Sequence, residues 1–314
     1  MPYPISTSAR SEKVNAAQKF SALIRLTRWR EHVPYTIPNV LSGALIAVYI
    51  NQITPDWRLV PVLVANILTM AFAFMINDVE DAPDDALDPP KKAHNVISQG
   101  IISQREGALF GAILFAIALI LYVFGGWKTF GTGGLTLVLC YLYSAPPFRL
   151  KAHPIVDVVS HGLMLSGLVM LSGYLIYDTY PGKAWFMFIA VTMGSAYGQF
   201  YNQLDDYAID KEVGLRNTAI MIGETATRMA MNGSILIGVT TFLIAVWLDC
   251  FPAWLGPILI VVIFTLSLFR WNIDMRGSET TDAGMIQTPT LVAGNIMVLI
   301  WLIHEMGILT ITLR

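Results

Sequence analysis

The sequence predicts an all-α integral membrane protein of about nine transmembrane helices, assembled as two parallel-repeat halves. Three observations carry that prediction. Of 314 residues, 55% are hydrophobic and only 13% charged, with a mean hydropathy of +0.58; a soluble domain of this length carries roughly twice that charge. Apolar runs near the ~20 residues that cross a bilayer as helix recur along the whole chain. One polar pattern is written twice, as Asn77, Asp81, Asp85 and as Asn202, Asp206, Asp210, every member stepping by 125 positions (77 to 202, 81 to 206, 85 to 210).

Residues 1–33 are mixed polar and basic with no uninterrupted apolar core, so they read as a cytoplasmic N-terminal segment and not as a signal peptide. Residues 34–314 read as one transmembrane domain. Its first two runs are 34–53 and 57–77, the second ending on Asn77. Runs 106–126 and 128–147 follow; the latter is weakened by Gly131, Gly133 and Gly134 and stopped by Pro146 and Pro147. Run 154–177 encloses Asp157 and His161, one helical turn apart, which read either as a mutually hydrogen-bonded buried pair or as polar contacts for a substrate. Run 184–202 brings Tyr197, Tyr201 and Asn202, and runs 229–250, 252–270 and 285–313 complete the count. Helices satisfy every backbone group inside the bilayer, which is why each run is assigned as one.

Lys and Arg set the orientation. With the N-terminus inside, cytoplasmic segments hold Arg10, Lys13, Lys19, Arg25, Arg28, Arg30, Lys91, Lys92, Arg105, Arg149, Lys151, Lys211, Arg216, Arg228, Arg270 and Arg276, whereas outer segments hold Arg58, Lys128, Lys183 and Arg314. Sixteen against four is a strong positive-inside bias. Both Asn/Asp clusters then share the cytoplasmic border. Cys140 and Cys250 are isolated in or beside apolar runs and give neither a disulfide framework nor zinc spacing.

The second run and the sixth end on equivalent asparagines, so equivalent helices lie four spans apart. An even number of spans makes the halves parallel, facing one another across a shared cavity; transporters often show inverted repeats instead. A spacing of i, i+4, i+8 puts three side chains on one helix face, about 6 Å apart per step. Residues 77–88, NDVEDAPDDALD, add Asp78, Glu80, Asp84 and Asp88 to that face or its neighbours. An acidic run is ordinarily a solvated loop. Two matched clusters with neutral Asn donors suit a harder task, in which carboxylates hold Mg²⁺ and the metal holds a diphosphate. That arrangement fits an allylic prenyl diphosphate: its leaving charge needs neutralising, and the carbocation left behind needs an apolar chamber without water.

Asn77-Asp78-x-x-Asp81-x-x-x-Asp85 matches the first aspartate motif of the UbiA superfamily of intramembrane prenyltransferases, and Asp206-x-x-x-Asp210-x-x-x-Gly214 resembles the second, with Asn202 four residues ahead. The resemblance covers nearly the whole chain beyond the N-terminal tail. It implies a ring of nine helices around a central cavity capped by cytoplasmic loops. It also implies that Asp81, Asp85, Asp206 and Asp210 are the catalytic acids binding Mg²⁺–diphosphate, with Asp78 added to the metal set and Asn77 and Asn202 beside it. Tyr143-Ser144-Ala145-Pro146-Pro147-Phe148-Arg149-Leu150-Lys151 resembles a signature of members with large hydrophobic acceptors, such as chlorophyll synthases and carotenoid elongases. Arg149 and Lys151 read either as topology-setting charges or as ligands of the diphosphate oxygens. Arg28 is a further diphosphate candidate, in competition with Arg25 and Arg30. Where many members place an Arg-Pro pair after the first motif, this chain reads His94-Asn95-Val96, so no basic residue is carried over there; Gln203 likewise replaces an acid common in relatives.

The expectation is therefore a Mg²⁺-dependent, multi-pass prenyltransferase of the cell membrane. Its partners are an isoprenyl diphosphate donor, a lipophilic acceptor (aromatic, pigment or isoprenoid lipid) and the lipid bilayer, with no nucleic acid. Two alternatives stand beside it: a phosphoribosyltransferase acting on a polyprenyl phosphate, and a cation-coupled transporter. The transporter needs acids near the bilayer midplane, whereas here they sit at its border.

Overall fold

The computed structural model describes residues 15–212, 214–267 and 281–309, and every regular element among these is helical. In chain order they are α1 (Ala16–Leu26), α2 (Trp29–Asn51), α3 (Leu59–Asp85), α4 (Pro89–His94), α5 (Gln104–Tyr122), α6 (Trp127–Ser144), α7 (Val156–Gly162), α8 (Leu168–Tyr174), α9 (Trp185–Asp205), α10 (Tyr207–Glu212), α11 (Thr218–Ile222), α12 (Glu224–Trp247), α13 (Leu255–Ser267) and α14 (Thr281–Glu305). A π-helical stretch, Leu163–Gly167, joins α7 to α8 as one rod. Arg10, Lys13, Arg270, Arg276 and Arg314, used above for orientation, lie outside the described residues.

The protein is a multi-pass membrane protein, and six of the nine expected spans qualify by length and composition among the described residues. Trp29–Asn51, Leu59–Asp85, Gln104–Gly125, Val156–Tyr174, Glu224–Trp247 and Thr288–Glu305 are long and apolar enough to cross a membrane among the described residues. Of the other three runs, two carry polar residues within their helices and the third, 252–270, extends past the described residues. Lys128, threonines and glycines dilute α6; Gln199, Asn202 and Gln203 load the last turns of α9; α13 has 13 residues.

The first span starts earlier than its apolar run, at Trp29 instead of 34. Pro38, inside α2, has no N–H to give the carbonyl of Pro34. Asn295 on α14 supplies the missing donor, its Nδ2 lying 2.8 Å from that oxygen. A backbone group that the helix cannot satisfy is thus satisfied by a neighbouring helix.

The core gathers around α2, α3, α6 and α8, with Val40, Leu45, Val62, Met170, Tyr174 and Trp301 fully enclosed. Gly43 and Gly173 let α2 and α8 touch backbone to backbone. A Cβ on Gly43 would lie 2.0 Å from the carbonyl oxygen of Met170, and one on Gly173 2.3 Å from that of Val40. Such small-residue seams are how helices approach closely where lipid offers no hydrophobic contrast. Polar cross-links inside the bundle are fully paired: Asn66 and Ser172 bond each other between α3 and α8, and Thr69 bonds Tyr122 between α3 and α5. Met229, Leu236, Val239, Leu243 and Trp247 of α12 stay exposed, an apolar stripe for lipid.

Part of the N-terminal segment docks onto this body. α1 is closed by a reciprocal Asn15–Gln18 capping box. It lays Ala22 and Leu26 against Met75, Val79 and Ala82 of α3, and Lys19 reaches Glu106 of α5 at 2.6 Å. The end of α3 that carries the first acidic motif is therefore buttressed from outside.

The pairing of helices repeats. α2 packs on α3 and α3 on α5; later, α7 packs on α9 and α9 on α12.

Candidate active site

Asn77, Asp81 and Asp85 occupy the last turns of α3. The connection from α6 to α7 turns back over them, with Arg149 in a left-handed conformation at φ 39° so that Lys151 drops inward. Lys151 Nζ lies 2.9 Å from Asn77 Oδ1 and 2.7 Å from Asp81 Oδ1. Arg149 Nη2 reaches Asp81 Oδ1 at 3.0 Å and Asp84 at 3.5 Å. Ser144 Oγ donates to Asn77 Oδ1 at 3.1 Å. Burial pushes the Lys151 ammonium below its ordinary value, while Asp81 pulls it back up. Two cations are thus seated on the acid face, not scattered along a topology-setting loop.

Asp78 and Arg28 make a second charged contact beside that group. Arg28 stacks over Phe74 at 4.8 Å, is held by Glu31 through Nε at 2.9 Å, and reaches Asp78 at 3.5 Å. Asp78 is nearly buried, and its carboxylate is directed to the start of α2.

The second motif closes α9 and runs through α10. Asn202 stands in the last turn of α9, Asp206 caps it, and Asp210 lies in α10. Gly214 takes φ +73°, a backbone region open to glycine at little cost, and Leu215 N returns to Asp210 O at 2.9 Å. Burial raises the Asp206 carboxyl above the usual carboxylate range; Lys91 opposes this, and Asp205 and Asp88 add to it. Asp210 is also raised, first by burial and then by Asp206, with Asn217 and Lys91 opposing. Asp88 and Lys91 belong to the loop after the first motif, so the two clusters share one electrostatic neighbourhood.

Deeper in the bundle Tyr143, Gln199, His161 and Ser195 form a polar group. Gln199 Nε2 donates to the Tyr143 hydroxyl at 3.1 Å, His161 Nδ1 lies 3.2 Å from Ser195 Oγ, and the Tyr143 and His161 rings sit 6.2 Å apart. Of the two readings of Asp157 and His161, the mutual hydrogen bond does not form. Asp157 turns instead to Gln203 and Thr218, because a buried carboxylate takes the strongest donors in reach.

Two asparagines take roles that motif spacing does not assign. Asn95 Nδ2 donates to Asp85 Oδ2 at 2.9 Å and to the Asp78 carbonyl at 2.7 Å, while its Oδ1 accepts from Ile97 N. Asn217 Nδ2 donates to Asp210 Oδ2 at 2.7 Å, while its Oδ1 accepts from Ile220 N. In each half the last acid of the motif is gripped by an asparagine that also orders the following turn. The step from 95 to 217, 122 residues, is close to the motif's 125 and was the signal available.

Among the described residues, no three His, Cys, Asp or Glu side chains converge tightly enough to hold a metal ion as they stand. The donor set is nevertheless oxygen throughout, carboxylates with amide neighbours, which is the chemistry of a hard cation. Asp81 is neutralised by Lys151 and Arg149 here, so an arriving cation and an anion that draws off the two basic groups would suit the same place.

Residues 37–288 match the model of the UbiA prenyltransferase family. The chain is similar to the 4-hydroxybenzoate octaprenyltransferase of Acidovorax ebreus, 25% identical over 76% of this chain and 81% of the relative. It is also similar to the lycopene elongase/hydratase of Corynebacterium glutamicum, 27% identical over 66% of this chain and 71% of the relative. Its fold resembles that of a UbiA homolog from Archaeoglobus fulgidus solved bound to GPP and Mg²⁺, with a TM-score of 0.68 at 23% identity, covering 91% of this chain and 99% of that one.

Proposed function

The chain belongs to the UbiA prenyltransferase family and is an intramembrane prenyltransferase; from that premise we propose that it transfers a prenyl group from an isoprenyl diphosphate to a lipophilic acceptor with the help of Mg²⁺. The observation that carries this reading is the seating of Lys151 and Arg149 on Asp81 and Asn77. A diphosphate site needs cationic side chains for its oxygens and carboxylates for its metal in one place, and here the two sets interleave.

In this reading Lys151 and Arg149 bind and orient the diphosphate, with Asn77 and Asn202 as neutral neighbours. Asp81, Asp85, Asp206 and Asp210 are the residues that would hold Mg²⁺. When bound, the metal would neutralise charge on the departing diphosphate as the allylic C–O bond breaks. Asn95 and Asn217 keep Asp85 and Asp210 aimed, and Arg28 keeps Asp78 turned toward α2. The apolar bundle below, with Tyr143 and His161 at its polar core, excludes water from the prenyl cation. The relatives named above differ in acceptor, one named for 4-hydroxybenzoate, an aromatic acid, and one for lycopene, a carotenoid. We place residues 34–314 in one nine-helix ring, with residues 1–33 and both acidic loops on the cytoplasmic side; the basic residues around those loops support this orientation.

Donor competition tests the reading. Purified protein with Mg²⁺ is offered geranylgeranyl diphosphate with a lipid extract, or phosphoribosyl diphosphate with polyprenyl phosphate. Diphosphate release from the prenyl donor alone is expected. Release from the ribosyl donor alone would overturn the assignment.

A further inference from the structure

The carboxylate of Asp157 is entirely enclosed, with 0% exposure, at the start of α7, and the chemistry above makes no use of it. Gln203 Nε2 donates to its Oδ2 at 2.7 Å, Thr218 N at 2.8 Å, and the Thr218 hydroxyl binds its Oδ1. Val158 N completes the set at 2.8 Å. A buried carboxylate with this many donors, each on a neutral group, is costly to place and is kept only by a fully satisfied network.

That network ends at the second acidic motif. Gln203 follows Asn202 directly, and its Oε1 accepts from Ala219 N at 3.1 Å. Thr218 Oγ1 accepts from Ile155 N at 2.7 Å, and its neighbour Asn217 grips Asp210. Ile155 itself is held at φ +71°, a region where a β-branched residue is an outlier and persists only when its surroundings over-determine it.

The first half contains the counterpart. Residue 78 lies 125 positions before residue 203. Asp78 is gripped by Arg28 at the start of α2, as Gln203 is gripped by Asp157 at the start of α7. Both helices are preceded by a non-glycine residue at positive φ, Arg28 at 48° and Ile155 at 71°. The charge has changed sides between the halves, while the link from the first helix to the residue after the motif asparagine has not.

We infer that Asp157 is a positioning residue for the second acidic motif: through Gln203 and the Asn217–Thr218 turn, it fixes where Asp206 and Asp210 present their oxygens. The inference rests on the proposed Mg²⁺–diphosphate reading of that motif.

Asp157→Asn and Thr218→Val each remove part of the network, and Thr218→Ser preserves it. Three quantities are read: Mn²⁺ affinity by electron paramagnetic resonance without donor, hydrogen exchange of residues 203–222 without metal, and the Mg²⁺ concentration giving half-maximal prenyl transfer. Asp157→Asn and Thr218→Val should weaken Mn²⁺ about tenfold, speed exchange in that segment and raise the half-maximal Mg²⁺ about tenfold. Acceptor KM should stay unchanged, and Thr218→Ser should match wild type. A purely structural Asp157 would lower the yield of folded protein and leave Mn²⁺ affinity of the folded fraction where it was, which overturns the inference. If Asp157→Asn does not fold, the Thr218 pair decides by the same criteria. Absence of prenyl transfer by wild type would instead count against the functional reading, since the Mn²⁺ and exchange measurements need no turnover.

Discussion

Lys151→Met should move two affinities in opposite directions. The lysine is largely enclosed, with its side chain 18% exposed, and its partner Asp81 is 19% exposed. In the donor-free protein it contacts Asn77 Oδ1 at 2.9 Å and Asp81 Oδ1 at 2.7 Å, the second an oxygen assigned above to the metal. Hydrogen bonds to charged groups contribute about 1.5–3 kcal/mol, and the residual exposure favours the lower end. Met keeps the length and apolar stem of the side chain while removing the competitor. About 1.5 kcal/mol at about 1.4 kcal/mol per decade gives roughly tenfold tighter Mn²⁺ binding without donor. With saturating Mg²⁺ the same change removes one of the two cations facing the diphosphate. A non-cleavable prenyl thiodiphosphate should then bind about ten- to a hundredfold more weakly. Mn²⁺ titration by electron paramagnetic resonance and calorimetric titration of the analogue measure the two sides. Mn²⁺ binding that is unchanged or weaker in Lys151→Met would show that Lys151 does not screen a metal ligand.

Asp81→Asn and Asp206→Asn should each lower prenyl transfer by at least about a thousandfold while the protein still inserts and elutes as a monodisperse species; appreciable turnover in either would remove it from the metal set. Arg149→Ala should weaken the donor analogue about tenfold and leave acceptor KM alone, and an unchanged donor affinity would return Arg149 to a topology role. In EDTA, the raised Asp206 and Asp210 carboxyls should add stability below their values and withdraw it as pH rises through them, because the folded state there binds more protons than the unfolded. The thermal gain from Mg²⁺ should shrink on acidification through the same range, and an Asp206→Asn, Asp210→Asn double variant should lose both trends. Gly173→Ala should destabilise the α2–α8 seam by about 1–3 kcal/mol, since its Cβ would meet the Val40 carbonyl at 2.3 Å; a wild-type melting temperature would show that the seam relaxes.

Composition and run length were enough for an all-helical membrane bundle, because lipid leaves the backbone few alternatives. Six of the nine runs qualify as spans by length and apolarity among the described residues, and α6 and α9 carry polar residues along faces that meet other helices. The motif spacing singled out Asn77, Asp81 and Asp85, and the structure gathers Lys151 and Arg149 onto that face. What spacing could not reveal was partnership across distance. Asp157 and His161 are neighbours by helical period, yet the carboxylate chose Thr218, 61 residues away. In the sequence Asn95 is only a departure from an expected Arg-Pro pair, and its grip on Asp85 depends on how the loop folds back. Asp78 fits the motif by spacing but faces Arg28, since one residue of rotation along a helix sends a side chain toward a different neighbour.

In the proposed reaction this bundle ionises an isoprenyl diphosphate at the paired acidic motifs and hands the prenyl group to a lipophilic acceptor. The most direct measurement is diphosphate release from geranyl, farnesyl, geranylgeranyl and phytyl diphosphates by purified protein with a mixed acceptor extract. Mg²⁺, EDTA and Asp81→Asn run in parallel, and lipid products are weighed by mass spectrometry. Mg²⁺-dependent release matched by a product heavier by one prenyl unit is expected, absent with EDTA and in the variant. Release that persists in EDTA, or no release from any of the four donors by folded wild-type protein, would contradict it.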